Sequence, residues 1–484
     1  MSANEQFQSR WGLVLATLGM AVGTGNIWRF PRIVATNGGG SFLIAWVIFL
    51  LIWSVPLMIA EFAFGKRARK GTVGAFIRIA GEGKGWMGGW VALCATAIMF
   101  YYSVVAGWCI RYCVAAILGE LRGADPEAFW ESYAGTTQAF WTHAVALGLA
   151  IGVVWFGVRG IERVAKVLIP TLVVLVVILA IRAVTLPGAA AGLEFLFKPD
   201  LQALGDFRVW LAALTQNAWD TGAGWGLILT YAIYMKSRED IPLNAVLIGF
   251  GNNAMSLLAG IMVLCTVFAI NPGARDQIVG AGNEGLTFIW MPQLFAQMPG
   301  GRFFMIFFFL ALSFAALTSL ISMVELAARN LMDSGMSRKR AVGIVATAGL
   351  IFGTPSALSV TFLNNQDWVW GVGLMLSGLF FALGARSFGV DRLRREVVNA
   401  EGADLQVGRW WSFLVAVVIP VEALVLMIWW LWGASVGKEA SEWLNPFNAG
   451  SVGTVLAQWA VALVALLALN KWMSRKTMKG EASP

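Results

Sequence analysis

Twelve predominantly apolar stretches follow one another along the chain, at about 11–35, 41–65, 87–120, 139–157, 161–184, 208–235, 240–270, 301–332, 339–355, 361–385, 410–436 and 450–473. A spanning helix needs about 20 such residues. In hydrocarbon no water satisfies a free peptide group, so segments of this kind must close their hydrogen bonds internally as helices. The reading is therefore an all-α integral membrane protein. Composition supports it: 58% of the 484 residues are apolar and 13% are charged, about half the charged share of a soluble domain. A soluble enzyme, a disordered chain and a coiled coil are excluded.

Lysine and arginine (35) exceed aspartate and glutamate (27), for a net charge of +8. In a membrane protein this excess marks cytoplasmic links, not a nucleic-acid surface. Positive residues crowd the links after the second span (Lys66, Arg67, Arg69, Lys70), the eighth (Arg338, Lys339, Arg340) and the tenth (Arg392, Arg394, Arg395), and the tail (Lys471, Arg475, Lys476, Lys479). The link between spans three and four carries Asp125, Glu127 and Glu131 instead. Both termini are thus expected in the cytoplasm, in the inner membrane. The first ten residues show no cleavage signal, so the first span is expected to remain in the mature protein.

Two spans are broken by glycine. The first contains Gly19, Gly23 and Gly25, and the sixth contains Gly222, Gly224 and Gly226. Glycine at this density disfavours continuous helix. Unwound backbone at membrane depth is tolerated only where it is buried in protein or lines a cavity. The breaks correspond if spans 1–5 and 6–10 are two repeats, and an odd number of spans per repeat inverts the second copy. That pattern points to a secondary transporter with its site at the breaks; close packing through small residues is the alternative for either break alone. The domains read as a tail (1–10), a first repeat (11–184), an extracellular loop (185–207), an inverted second repeat (208–385), a cytoplasmic loop (386–409), two further spans (410–473) and a cytoplasmic tail (474–484). A second long outer link covers about 271–300.

No enzyme is expected. The four cysteines lie inside apolar runs without metal-ligand spacing, and the single histidine, His143, has no nucleophile pattern around it. No protein partner is implied; the partners are lipid and a small solute.

The run Gly23, Thr24, Gly25, Asn26, Ile27, Trp28, Arg29, Phe30, Pro31, followed by Asn37, Gly38, Gly39 and Gly40, resembles the first-helix signature of the neurotransmitter:sodium symporter family. The segment from Gly160 to Pro170, with Glu162 and Lys166, is similar to the inner end of that family's fifth helix, and Ala315 to Ser319 to its eighth. The resemblance runs from about residue 7 to 470. It implies sodium-coupled uptake by alternating access, with sodium, in two sites, as the only cofactor. One site would use the backbone oxygens of Gly19, Val22 and Ala315 with the hydroxyls of Thr318 and Ser319. The alternative for those hydroxyls is a bond back to their own helix. The other site would use the Ala21 carbonyl, Asn26, Asn252 and position 220.

At position 220 the chain departs from the family's bacterial leucine transporter, which has threonine there and a glutamate at the position of Ser256. Asp220 would carry the charge that chloride supplies in animal members, with Gln216, Asn252 and Ser256 as neighbours, or it would N-cap the second half of helix six. Trp46 replaces a tyrosine of the chloride-dependent members. By the same resemblance, substrate would lie between the breaks. Its carboxylate would meet amides around Gly23 and Gly25, the Tyr102 hydroxyl and the first sodium; its amine would meet carbonyls of Ala21, Trp219 and Asp220. Met20, Ile98, Val105, Trp219, Gly222, Trp225, Ser319 and Met323 would surround its side chain. Monoamine carriers have an aspartate in place of Gly23, so the expected substrate is a neutral zwitterionic amino acid, with a small side chain favoured by the two tryptophans. The pair could equally cage a betaine, or a taurine-like osmolyte could bind. A sensor that binds without transporting is a further alternative.

Arg29 and Asp367 would form the outer gate above a lid of Trp219 and Tyr102. Asp333 and Tyr234 match the family's inner gate, but Asn4 stands where its arginine belongs and Phe7 replaces a tryptophan; Arg10 is a substitute cation. Glu325 reads as an i,i+4 partner of Arg329 or as a proton-linked carboxylate on the exit path. Glu61 reads as a scaffold contact, and Glu422 has no assigned role.

Overall fold

The computed structural model describes residues 5–400, 404–436 and 442–479. Asn4 lies outside the described residues, as do 1–3 of the expected tail, part of the 386–409 loop, and 480–484. The described residues contain helices and turns and no strand.

Among the described residues, ten helices are long and apolar enough to cross a membrane. Two broken helices complete twelve crossings. Helix α1 consists of α1a (Arg10–Ala21), a π-helical turn (Gly25–Arg29) and α1b (Phe30–Thr36). Then come α2 (Gly40–Ala68), α3 (Gly85–Leu118), α4 (Thr137–Trp155) and α5 (Val158–Val184). Helix α6 is again split, into α6a (Phe207–Asp220) and α6b (Leu227–Ala232). It is followed by α7 (Ile241–Ile270), α8 (Gly301–Asp333), α9 (Arg338–Leu358), α10 (Val360–Phe388), α11 (Arg409–Val436) and α12 (Val452–Lys479). Helix α12 runs past 473, so the expected tail is helical to Lys479.

Local chemistry explains the irregular stretches. Ser9 caps α1a by accepting from the Gly12 amide. The helix ends where Val22 leaves helical backbone at φ −75°, ψ 86°. In α6 the break is firmer. Gly222, Gly224 and Gly226 all have positive φ (73°, 89° and 78°), a conformation that a side chain disfavours. In α2, Pro56 stands just after a π turn (Leu50–Ser54), where its missing N–H is accommodated.

The broken helices lie at the centre. Helix α1a packs on α5 and α8, α6a on the first half of α2, α6b on the second half of α2, and α1b on α7. The longest contact in the molecule, α3 along α8, closes the other side. Apolar side chains on α4, α5, α9, α11 and α12 face outward, as in Leu149, Val174, Ile351, Ile428 and Val464. That outer surface fits hydrocarbon. His143 is buried, with Nδ1 2.9 Å from Ser103 Oγ, and fills the space left by Gly107 and Gly353 between α3, α4 and α9. The four cysteines are buried and unpaired. The 271–300 link folds into helical turns, and its Phe288 stacks on Trp130 at 5.2 Å and packs on Tyr112 at 4.8 Å, over the end of α3.

Candidate functional site

The two breaks open onto one cavity of about 860 Å³. Every residue expected to surround a substrate lines it: Met20, Ala21, Gly23, Gly25, Ile98, Tyr102, Val105, Trp219, Gly222, Trp225, Ser319 and Met323. Breaks far apart in sequence thus share one wall-to-wall space, as polar convergence in an apolar pocket requires.

At the first break, Tyr102 Oη accepts from the Thr24 amide and from Thr24 Oγ1, both at 3.2 Å. Ser319 Oγ donates to Met20 O at 3.1 Å. A Cβ on Gly23 would lie 2.9 Å from Ser319 Oγ and 3.1 Å from Tyr102 Oη, so glycine keeps this corner open. Asn26 is fully buried: its Oδ1 accepts from the Gly23 amide at 2.9 Å, which fixes Nδ2 as a donor toward Ser256 Oγ (2.7 Å) and Asn252 (2.8 Å).

The Asn252 amide sits at a crowded point. One of its polar atoms lies 2.8 Å from Asn26 Nδ2, 3.2 Å from Ala21 O and 3.0 Å from Asp220 O. If that atom is oxygen, it accepts from Asn26 but faces two carbonyl oxygens. If it is nitrogen, it serves the carbonyls but opposes the Asn26 donor. Neither orientation satisfies all three neighbours. Oxygens that share a cation at about 2.4 Å stand roughly 3–3.5 Å apart, and this is the spacing found.

Asp220 is 4% exposed. Its Oδ2 accepts from Gln216 Nε2 at 3.1 Å and from Ser256 Oγ at 3.2 Å, while its Oδ1 is buried without a partner among the described residues. A buried carboxylate oxygen without a donor is costly and calls for a counter-charge. The capping alternative for Asp220 is corrected: it is the last residue of α6a, and α6b begins after Gly226, which makes no side-chain cap. Glu61 does the capping from α2, accepting from the Gly224 amide and from Leu229 N (3.3 Å). Its scaffold reading holds. Trp46 packs on Phe30 at 4.6 Å, and its Nε1 is buried without a partner among the described residues.

At the other expected ion position, Gly19 brings α1a against α8, where a Cβ would lie 3.3 Å from Thr318 Cβ. Thr318 Oγ1 is bonded back to Phe314 O at 2.9 Å and Ala315 O at 3.1 Å. The back-bonded alternative therefore describes its proton, and among the described residues no donor engages its oxygen.

Arg29 and Asp367 both line the cavity, and no ion pair joins them among the described residues. Arg29 instead places its guanidinium 4.7 Å from the ring centre of Trp219. Trp219 meets Trp225 edge-on at 6.0 Å, and Trp225 Nε1 donates to Ala218 O. A Cβ on Gly371 would lie 1.8 Å from the Trp219 ring, so the indole lies flush on α10. Trp368, Trp429, Trp430 and Trp443 also line the cavity, which sequence reasoning missed. Trp368, Trp429 and Trp430 lie on spans without a glycine break, and Trp443 lies in the link between α11 and α12.

At the face that holds the chain ends the expected contacts are rearranged. Glu325, fully buried, pairs with Arg338 and not with Arg329: Nη1 to Oε2 is 2.7 Å and Nη2 to Oε1 is 3.0 Å. Tyr234 Oη donates to Glu325 Oε1 at 2.5 Å. Arg329 pairs with Asp333 at 3.0 Å, and Asp333 Oδ2 accepts from the Gly71 amide. Arg10 is not the substitute cation, because it reaches Asp404 at 3.7 Å. Phe7 is buried edge-on against Tyr231 (5.9 Å) and Tyr234 (6.5 Å), and Gln8 and Ser9 bond to Glu162 on α5.

Comparison with known proteins agrees with this architecture. The model of the sodium:neurotransmitter symporter family matches residues 4–140 and 131–475. A sodium-dependent transporter of Methanocaldococcus jannaschii is 32% identical over 438 residues, covering 86% of this chain and 88% of the relative. The sodium-dependent transporter YhdH of Bacillus subtilis is 31% identical, covering 87% and 97%. The sodium-dependent serotonin transporter of Drosophila melanogaster is 28% identical, covering 98% and 84%. Among solved structures, MhsT in complex with L-phenylalanine superposes with a TM-score of 0.78 at 33% identity, covering 88% of this chain and 99% of that one. The chain is a sodium-coupled transporter, not an enzyme, and belongs to the sodium:neurotransmitter symporter family.

Proposed function

We propose that the protein imports a neutral, zwitterionic amino acid together with two sodium ions, without chloride, across the inner membrane with both termini in the cytoplasm. The observation that carries the ion reading is the knot of oxygens at Asn252. A sodium ion among Ala21 O, Asp220 O and the Asn252 amide resolves a contact that no amide orientation satisfies. The free Asp220 Oδ1 supplies negative charge beside it, which removes the need for chloride. Asn26 completes this site, and the oxygens of Gly19, Val22, Ala315, Thr318 and Ser319 form the second.

The substrate carboxylate would sit at the first break, between the Gly23–Gly25 amides and Tyr102, and its amine would meet the carbonyls at the end of α6a. No acid takes the place of Gly23 to hold a bare amine. MhsT, captured with an amino acid, supports the same class. A small side chain is favoured: the volume freed at Gly222 is already taken by Met20, whose Sδ lies 2.8 Å from where a Cβ would be. The betaine reading is weaker, because one face of Trp219 is occupied by Arg29. Arg29, Asp367 and Trp219 would close the outer side. The contacts of Glu325 with Arg338 and Tyr234, and of Asp333 with Arg329, support these residues as the closure of the inner side.

The test is uptake into proteoliposomes driven by a sodium gradient, across a series of amino acids, betaines and taurine, in chloride and in gluconate. Saturable, sodium-driven uptake of a neutral amino acid in both anions is the expected result. Uptake that collapses in gluconate refutes the chloride assignment. Binding in thermal-shift assays without uptake refutes transport in favour of a sensor.

A further inference from the structure

Helix α11 holds a carboxyl group that nothing above uses. Glu422 is 8% exposed, and both of its oxygens are buried without a hydrogen-bond partner among the described residues. Among the described residues the other deeply buried acids have partners: Glu61 takes two amides, Glu162 a lysine and an amide, Asp240 two amides, Glu325 an arginine and a tyrosine, Asp333 an arginine and an amide. Even Asp220 has two donors on one oxygen.

The elements packed on α11 are α10, the π turn of α2 and, through Trp459, α12, whose Lys471, Arg475 and Lys476 are exposed. Helix α10 carries Asp367 and Arg386 as its charged groups, and α2 carries Glu61, Lys66 and Arg67. Asp367 lines the cavity, Glu61 caps α6b, Lys66 donates to Glu239 O at 2.7 Å, and Arg67 is exposed. None forms an ion pair with Glu422. An unpaired carboxylate anion in this setting is strongly disfavoured, whereas the neutral acid is tolerable.

The helix is hinged just before this residue. A π turn occupies Leu414–Val418, and Pro420 has no N–H to offer the Ala416 carbonyl. Arg386 Nη1 donates to that carbonyl instead, at 3.4 Å. Beyond the hinge, Glu422 shares a buried face with Leu426 and Trp430, one and two turns on, and both line the cavity. Trp430 is held by Trp368 at 5.7 Å and Trp459 at 5.9 Å.

We propose that Glu422 is a proton-binding site: it is a neutral carboxylic acid in this conformation, and it releases its proton to water only when α11 swings about the 414–420 hinge and the cavity reaches it. Proton release is then linked to the shape of the cavity wall.

The test uses the full chain in lipid nanodiscs and N,N′-dicyclohexylcarbodiimide, an apolar reagent that adds to protonated carboxyls. Mass spectrometry is expected to find the adduct on Glu422 at neutral pH, with Glu61 and Glu325 unmodified. Labelling should fall about tenfold per pH unit once the acid ionises. In infrared spectra, Glu422→Gln should remove one protonated-acid carbonyl band. An unmodified Glu422 with no band lost overturns the proton site. Because glutamine is isosteric with the neutral acid, the variant should keep the wild-type melting temperature; a large drop means that an ionised, partnered carboxylate was lost, which also overturns it. The link to the cavity predicts that Glu422→Gln takes up solute as the wild type does at neutral pH and loses the wild type's change at alkaline pH. Identical pH profiles overturn that link. The labelling arm needs no knowledge of the substrate, so its outcome is independent of the function proposed above.

Discussion

Replacing Arg338 by glutamine should open the face that holds the chain ends. In the structure Arg338 makes two hydrogen bonds to Glu325, at 2.7 and 3.0 Å, with side-chain exposures of 18% and 0%. Removing one partner of a buried pair costs about 3–5 kcal/mol, because the other charge is left in low dielectric. Arg338 is partly exposed and Tyr234 still donates to Glu325, so about 2–3 kcal/mol is the better expectation here. Once this face opens, water hydrates Glu325 and the penalty vanishes. The substitution therefore shifts the closed-to-open equilibrium by about 30- to 150-fold. A reporter cysteine at Ser322, now buried and bonded to Tyr231, in a background without the native cysteines, reads that shift as its rate of reaction with a water-soluble thiol reagent. The single variant should react at least tenfold faster. Adding Glu325→Gln removes the orphaned charge and should recover most of the closed state. A double variant as reactive as the single one, or no acceleration at all, refutes charge pairing as the lock.

Three more outcomes are expected. Asp220→Asn should raise the sodium concentration for half-maximal uptake about tenfold, with partial rescue by chloride; unchanged sodium dependence in gluconate contradicts the role given to Asp220. Gly371→Ala should fold, since alanine favours helix, but its Cβ would displace the Trp219 ring and raise the KM for substrate about tenfold in uptake assays. Glu61→Ala strips the acceptor from the Gly224 and Leu229 amides, which should lower stability by about 2–5 kcal/mol, seen as a fall in Tm of the sodium-bound protein.

Much of this architecture is legible from short-range patterns. Glycine clusters mark both breaks for different reasons: Gly222, Gly224 and Gly226 take positive φ in α6, whereas Gly23 in α1 leaves room beside Ser319 and Tyr102. The pocket residues of α1 and α6 flank the breaks, and those of α3 and α8 follow from the family resemblance. What escapes is decided by partners distant in space. The pairing of Glu325 with Arg338 depends on how α9 turns back over α8, whereas the i,i+4 rule offered Arg329, which Asp333 takes. The cap of α6b comes from Glu61, 166 positions before Leu227, so Asp220 seemed the natural local candidate. The separation of Arg29 and Asp367 is a property of one conformation, which no residue pattern encodes. The tryptophans of the upper cavity look like ordinary membrane-boundary residues until α10, α11 and α12 are seen to converge.

The carboxylate of Glu61 also has a mechanical meaning. By accepting from the buried Gly224 and Leu229 amides at the start of α6b it acts as a rivet between that short segment and α2. Two pieces of backbone that could otherwise slide past each other are left with one shared degree of freedom. A segment of only six residues, too short to hold its own course in the membrane, thereby borrows the stiffness of a 29-residue rod. Any torque applied at one end of that rod is delivered to the glycine break at its side.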